Sequence, residues 1–158
     1  MFWGVISHQY RGQLISMGPP GTKITAKIYR DTILPELYRT KQIIESRYLP
    51  SGTAMLIMED NAAVHKAKLV KEEHQRRGGI VIDWPANSPD LNPIENVWRV
   101  LKHRVARRWP RTHEEMKEVM LDEWHKLTHE DIAKYCSGTV MRARCQAVLD
   151  ARGGPINW

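Results

Sequence analysis

Two acidic side chains, Asp60 and Glu95, stand with 34 residues between them, each at the edge of a different kind of element. Asp60 follows the apolar run Ala54-Met55-Leu56-Ile57-Met58, which reads as a buried strand. Glu95 falls in the first turn of a helix that Asn92-Pro93 opens. A carboxylate at a strand's end and another at a nearby helix start can together hold divalent metal ions, and such a site suits phosphodiester chemistry. Each also has a plainer reading. Asn92-Pro93-Ile94-Glu95 is a good helix start, with Asn as N-cap, Pro at N1 and Glu at N3 reaching back to the cap. Asp60-Asn61 taken alone reads as a strand-ending turn.

The elements that must position these groups alternate along the chain. Phe2 to Ser7 and Gln13 to Met17 read as two short strands of a hairpin turning at Tyr10-Arg11-Gly12, and Gly18-Pro19-Pro20-Gly21 breaks the chain. Apolar spacing from Thr25 to about Ser46 predicts a helix kinked at Pro35. After the Asp60 strand comes a charged helix, Val64 to Arg77, stopped by Gly78-Gly79. Ile80-Val81-Ile82 reads as a second short buried strand, and Trp84 to Leu91 as a proline-bearing loop. Three helices complete the chain: Pro93 to about Arg108, about His113 to Leu127 with a Thr112–Glu115 capping box, and one from about His129. Strands alternating with helices, followed by helices alone, predict an α/β layered domain with a helical tail.

At 158 residues, 42% apolar and 27% charged, the chain has the make-up of a globular domain with a real core. A net charge of +6 makes a polyanion a plausible partner. Cys136 and Cys145 stand nine apart with no CxxC pair, so neither a zinc site nor a disulfide framework is indicated. No apolar run approaches the roughly 20 residues that span a bilayer, so no membrane partner is expected. The first residues do not have the charged and apolar regions of a signal peptide, and Arg107-Arg108 is too short for a nuclear import signal.

Asp60-Asn61-Ala62 with His65 after it, Trp84-Pro85, the run Ser88 to Glu95 (SPDLNPIE), then Trp98 and Lys102, together resemble the catalytic domain of the Tc/mariner superfamily of cut-and-paste DNA transposases. Trp3-Gly4 resembles that family's second strand and Arg144 to Pro155 its C-terminal end, so the likeness covers nearly the whole chain. The resemblance implies an RNase H-like (integrase/transposase-type) fold. It also implies a triad of acids that binds two Mg²⁺ or Mn²⁺ ions, with Asp60 as the second acid and Glu95 as the third. It implies DNA partners (transposon ends and target DNA), a homo-oligomer or an intact transposase as protein partner, and a nuclear location.

The family's first acid sits on a strand before the Trp-Gly strand, and the sequence here starts at Trp3-Gly4. The expectation is therefore an incomplete RNase H-like domain over residues 1–110 with a helical extension over 111–158. It has open sheet edges where the central strand would lie, unless the hairpin pairs directly with the Asp60 strand. Glu59 should point away from Asp60, Asp83 ends the next strand, and Asp31 falls in a helix; none of the three is a strong substitute for the first acid. His65 reads as a residue near the site rather than one that does chemistry, and Tyr29, Tyr38 and Tyr48 as too scattered for a stacking platform. Across helix 93–108 from its apolar stripe lie Arg99, Lys102, His103 and Arg107, by default a solvated basic face, and the resemblance implies phosphate contact by Lys102, His103, Arg107 and Arg108. The function expected is a transposase catalytic-domain remnant that is inactive alone. The alternatives are a non-catalytic module binding DNA or transposase, and a decayed reading frame.

Overall fold

The computed structural model describes residues 1–19 and 21–157, so Pro20 of the predicted breaker lies outside it. The chain divides into two compact units, one made of Met1–Val5 and Ile15–Asn87, the other of Ile6–Leu14 and the chain from Ser88 onward.

In the first unit, β1 (Phe2–Trp3) pairs antiparallel with β2 (Ile15–Ser16), Trp3 standing opposite Ile15. Thr25 caps α1 (Ala26–Ile28) by accepting the Ile28 N–H at 3.2 Å. A π-helical turn, Tyr29–Ile33, then leads into α2 (Leu34–Arg47). The predicted kink takes this form because Pro35 has no N–H to return to the carbonyl four residues back, and a wider turn accommodates the ring. Tyr29, Ile33, Leu34 and Leu37 are thereby turned inward, where they form a core with Met17, Ile57 and Val70. Each such aliphatic side chain contributes about 1.5–3 kcal/mol on burial.

Ile57 of β3 (Leu56–Ile57) belongs to that core, whereas Leu56 is 59% exposed, as strand alternation demands. β4 (Ile80–Val81) runs parallel to β3, with Ile57 opposite Val81 and the Ile82 N–H donating to the Ile57 carbonyl at 2.9 Å. Both β4 residues are exposed. Neither run is the buried strand that it reads as. Of the four β3 and β4 residues only Ile57 belongs to the apolar core, and these two strands leave their other face to solvent. Among the described residues β1–β2 and β3–β4 are separate sheets, so direct pairing of the hairpin with β3 does not occur. The predicted helix Val64–Arg77 is two helices, α3 (Ala63–Lys66) and α4 (Lys68–Arg76), parted at Ala67, where no proline or glycine explains the extended backbone. Gly78, with φ +65°, ends α4 as predicted, and the Gly79 N–H donates back to the His74 carbonyl at 2.8 Å.

The second unit begins with the loop between β1 and β2. Its turn is Ser7–Tyr10, closed by the Ser7 N–H on the Tyr10 carbonyl, because Arg11 is drawn into a bridge with Ile6. Tyr10-Arg11-Gly12 is thus not the turn. Four helices follow: α5 (Pro93–Ala106), α6 (His113–His125), α7 (His129–Cys136) and α8 (Gly138–Asp150). The last predicted helix is divided at Ser137, whose hydroxyl caps α8, while Thr128 and Asp131 form a reciprocal capping box on α7. The Thr112–Glu115 box predicted for α6 forms only in part: Thr112 caps the Glu115 N–H, but the Glu115 carboxylate reaches the N–H of Arg111. Val97, Leu101 and Val105 are the buried stripe of α5, and Trp98 stacks on the fully buried Trp124 of α6. The indole N–H of Trp124 donates to the Gly12 carbonyl at 3.0 Å, securing residues 6–14 to α6. Arg144 of α8, 1% exposed, donates to Asn96 Oδ1 at 2.7 Å and to the Asp90 carbonyl at 3.0 Å.

Both cysteines are free thiols, and burial pushes that of Cys136 up to about 11. No helix among the described residues is long and apolar enough to cross a membrane. Asn87, Trp109 and Arg152 are the described non-glycine residues with left-handed backbone. Such a conformation costs an ordinary L-residue about 1–2 kcal/mol, and asparagine tolerates it best.

Candidate active site

Strand alternation decides what the end of β3 presents. Ile57 and Glu59 face inward, and Asp60, leaving the strand, turns out with its side chain 62% exposed. Asp60 Oδ1 accepts the Ala62 N–H at 3.0 Å, the strand-ending turn read in the sequence. His65, at the start of the following helix, places Nδ1 2.8 Å from the same carboxylate oxygen and 3.0 Å from the Asp60 carbonyl. The His65 ring rests against Tyr29, with centroids 4.7 Å apart. Asn61 donates its side-chain amide to the Trp84 carbonyl at 2.7 Å, which ties the end of β3 to the loop after β4. Asp60 is thus exposed yet held from three directions.

Beneath it lies a buried polar cluster. Glu59, its side chain 8% exposed, accepts the Tyr29 hydroxyl at 2.5 Å and faces His74 Nε2 at 3.2 Å, an ion-pair distance without the alignment of a hydrogen bond. Tyr38 closes the cluster, its hydroxyl 2.9 Å from His74 Nδ1. Burial alone would raise the Glu59 carboxyl, but His74 and Tyr29 outweigh it and hold Glu59 below its ordinary range. Burial, and then the Glu59 charge, raise both tyrosines, Tyr38 to about 12. Gly79 is required here, since a Cβ on it would fall 1.9 Å from the Tyr38 hydroxyl. Glu59 is accordingly occupied inside the unit, as expected of a residue facing away from Asp60. Asp83 is exposed at the end of β4 and shares with Asp60, His65 and Trp84 the lining of a cleft of about 590 Å³.

In the second unit, Asn92 caps α5 by accepting the Ile94 N–H at 3.3 Å. Glu95 does not reach back to that cap: it is exposed, and its carboxylate has no hydrogen bond or ion pair among the described residues. The capping reading of Glu95 therefore has no contact to support it. Lys102, His103 and Arg107 are exposed on α5 and at its end, and Arg108 is held by Asp122 and Glu123.

Asp60 and Glu95 offer the hard oxygen donors that Mg²⁺ or Mn²⁺ prefers. In donor number the fit is poorer: within neither unit do three His, Cys, Asp or Glu side chains among the described residues converge on a common point. The roles of Tyr29 and His74 were not visible in the sequence. They lie 30 and 15 positions from Glu59 with no periodic link to it, and only the fold makes the tyrosines converge.

Residues 23–117 match a family model described as DDE superfamily endonuclease. The chain is 33% identical over 107 residues to the Tcb2 transposase of Caenorhabditis briggsae, covering 68% of the chain and 38% of that protein. It is 28% identical over 158 residues to the Tc1 transposase of Caenorhabditis elegans, covering 97% of the chain and 52% of that protein. The chain thus spans about half or less of the length of these curated relatives. The Mos1 transposase catalytic domain, solved with Raltegravir and Mn, superposes with a TM-score of 0.81 at 17% identity, covering 99% of this chain and 82% of that one. The Mos1 mariner paired end complex with Mn matches with a TM-score of 0.71 at 18% identity, covering 94% of this chain and 41% of that one. The shared fold is RNase H-like.

Proposed function

Since the chain belongs to the DDE superfamily endonucleases, and among them to the Tc/mariner transposase catalytic domains, we propose that Asp60 and Glu95 are its second and third acidic ligands for divalent cations. The reaction served is cleavage and strand transfer of DNA phosphodiesters, at transposon ends and at a target. The observation that carries this reading is the division of labour at the end of β3. Of two adjacent carboxylates, Glu59 is committed to Tyr29 and His74, while Asp60 is held outward by Ala62, His65 and the Asn61–Trp84 tie. Bound Mg²⁺ or Mn²⁺ would activate the attacking oxygen and neutralise the leaving one. What the chain's own residues do is fix one carboxylate in place, with His65 setting its orientation and Asn61 bracing the backbone behind it.

Alone, these 158 residues do not cleave DNA on this reading, because the family's triad needs a further acid and none of Glu59, Asp83 or Asp31 takes its place. Glu59 is inside the cluster, Asp31 is paired with Arg30, and Asp83, though it lines the same cleft as Asp60, belongs to no group of three His, Cys, Asp or Glu side chains among the described residues. DNA is the partner, and the nucleus is where it would be met; a homo-oligomer or an intact transposase is the protein partner. The test is Mn²⁺ titration of the isotopically labelled chain, with plasmid nicking assayed in parallel. Paramagnetic broadening should centre on residues 59–62 and 93–96, disappear in Asp60→Asn and Glu95→Gln, and bring no nicking. Broadening elsewhere would reject the ligand assignment, and metal-dependent nicking by the wild-type chain would reject the claim that it does not act alone. The non-catalytic alternative, a DNA-binding module, is favoured by one feature, the exposed cations of α5, and predicts salt-sensitive binding that Asp60→Asn leaves intact.

A further inference from the structure

The loop between α5 and α6 reads Arg107-Arg108-Trp109-Pro110-Arg111, and Trp109 is 75% exposed, more than any other large apolar side chain described. Its backbone is left-handed, with φ +49°, at a position where a glycine would end the helix without strain. Among the described residues the indole makes no ring contact, and its one tie is the backbone N–H donating to the Ala106 carbonyl at 3.2 Å. Proline after it bars the ordinary helical continuation and fixes the loop. A bulky side chain held in a strained and solvated position points to a use outside the fold.

The surroundings say what that use is. Arg107 and Arg111, two positions to either side, are exposed, and among the described residues neither guanidinium has an ion-pair partner. Arg108 is different: it is bound to Asp122 and Glu123, so it anchors the loop to α6, while the Glu115 carboxylate is taken up by the Arg111 backbone N–H at 2.6 Å. An exposed aromatic side chain flanked in the chain by two cations without ion-pair partners offers a ring for a base and charges for the phosphates on either side.

We propose that Trp109, Arg107 and Arg111 form a contact for DNA with unpaired bases, the indole stacking on a base and the guanidiniums holding flanking phosphates. This rests on DNA being the partner, and adds a contact outside the carboxylate site. The test uses the full chain and a fluorescein-labelled 20-nucleotide single strand of mixed sequence, with the same sequence as a duplex, titrated by anisotropy at several salt concentrations. Trp109→Gly should weaken single-strand binding roughly five- to a hundredfold. It should leave the salt slope unchanged and melt no lower than wild type, because it relieves the left-handed strain. Trp109→Phe should retain most of the affinity. Arg107→Ala with Arg111→Ala should lower the salt slope by about 1.4. Unchanged single-strand affinity in Trp109→Gly, or equal weakening on the duplex, overturns the proposal. So does a loss of self-association in that variant with DNA binding intact. A wild-type chain that binds neither oligonucleotide overturns it together with the DNA partner, whereas binding indifferent to Trp109 overturns the stacking contact alone.

Discussion

Glu59 and Asp60 are neighbours in the chain, yet a half-turn of the strand sends one into a cage of Tyr29 and His74 and the other to solvent. Their substitutions should separate accordingly. Glu59→Gln removes a charged acceptor from a buried cluster and should cost about 1.5–3 kcal/mol, measured by urea denaturation at pH 7. The cost is pH-dependent. Because the folded-state value of Glu59 is held below its ordinary 4.5, its contribution is complete above that value and drains away as the pH falls through the lowered one. The acid limb of the wild-type stability curve should therefore be steeper than that of Glu59→Gln, and equal limbs would contradict the cluster. Asp60→Asn keeps an acceptor for Ala62 and lies at the surface, so it should shift stability by less than about 1 kcal/mol while abolishing Mn²⁺ broadening at residues 59–62. Of these features, the sequence conveys the alternation, since a strand ending at Met58-Glu59-Asp60 must divide the two acids. What occupies Glu59 is invisible there, because Tyr29 reaches Glu59 and Tyr38 reaches His74 only after the π-helical turn and α2 have set their faces.

Helix ends show how local chemistry settles what periodicity leaves vague. Apolar spacing gives α5 and α6 with nearly correct bounds because Asn92, Pro93 and Thr112 mark their starts. The helix expected from about His129 carries no marked break, and Ser137-Gly138 is the stop and restart that divides it into α7 and α8. Thr128→Ala, which deletes half of a reciprocal capping box, should cost about 1 kcal/mol in thermal or urea unfolding, with no change in the slope of the transition. Arg144 binds these helices from within. Its replacement by Ala leaves Asn96 Oδ1 and the Asp90 carbonyl without their donor, and should cost about 3 kcal/mol, well above any surface arginine such as Arg142 or Arg152. The misjudged strands have a different cause. Leu56, Ile80 and Val81 are apolar enough to read as buried, and burial depends on how many strands and covering helices surround them, which a short run of residues does not encode.

Across the whole molecule, family membership was legible because SPDLNPIE and the Asp60 motif combine residue type with fixed spacing, and the matched span 23–117 contains both. Less legible was the path of the chain, which leaves the first unit after Val5, returns at Ile15 and leaves again after Asn87. The loop 6–14 depends on Trp124, so Trp124→Phe, which removes the N–H and leaves a smaller ring in a fully buried place, should cost at least about 1–3 kcal/mol and raise amide exchange around Gly12 more than around Leu34. That hydrogen bond joins residues 112 positions apart. On a ribosome adding about 5–20 residues each second, Gly12 emerges roughly 6 to 20 seconds before its partner exists. Through that interval the segment Ile6–Leu14 is free for chaperones to hold, so the order of synthesis makes the start of this chain one of the last pieces to reach its native place.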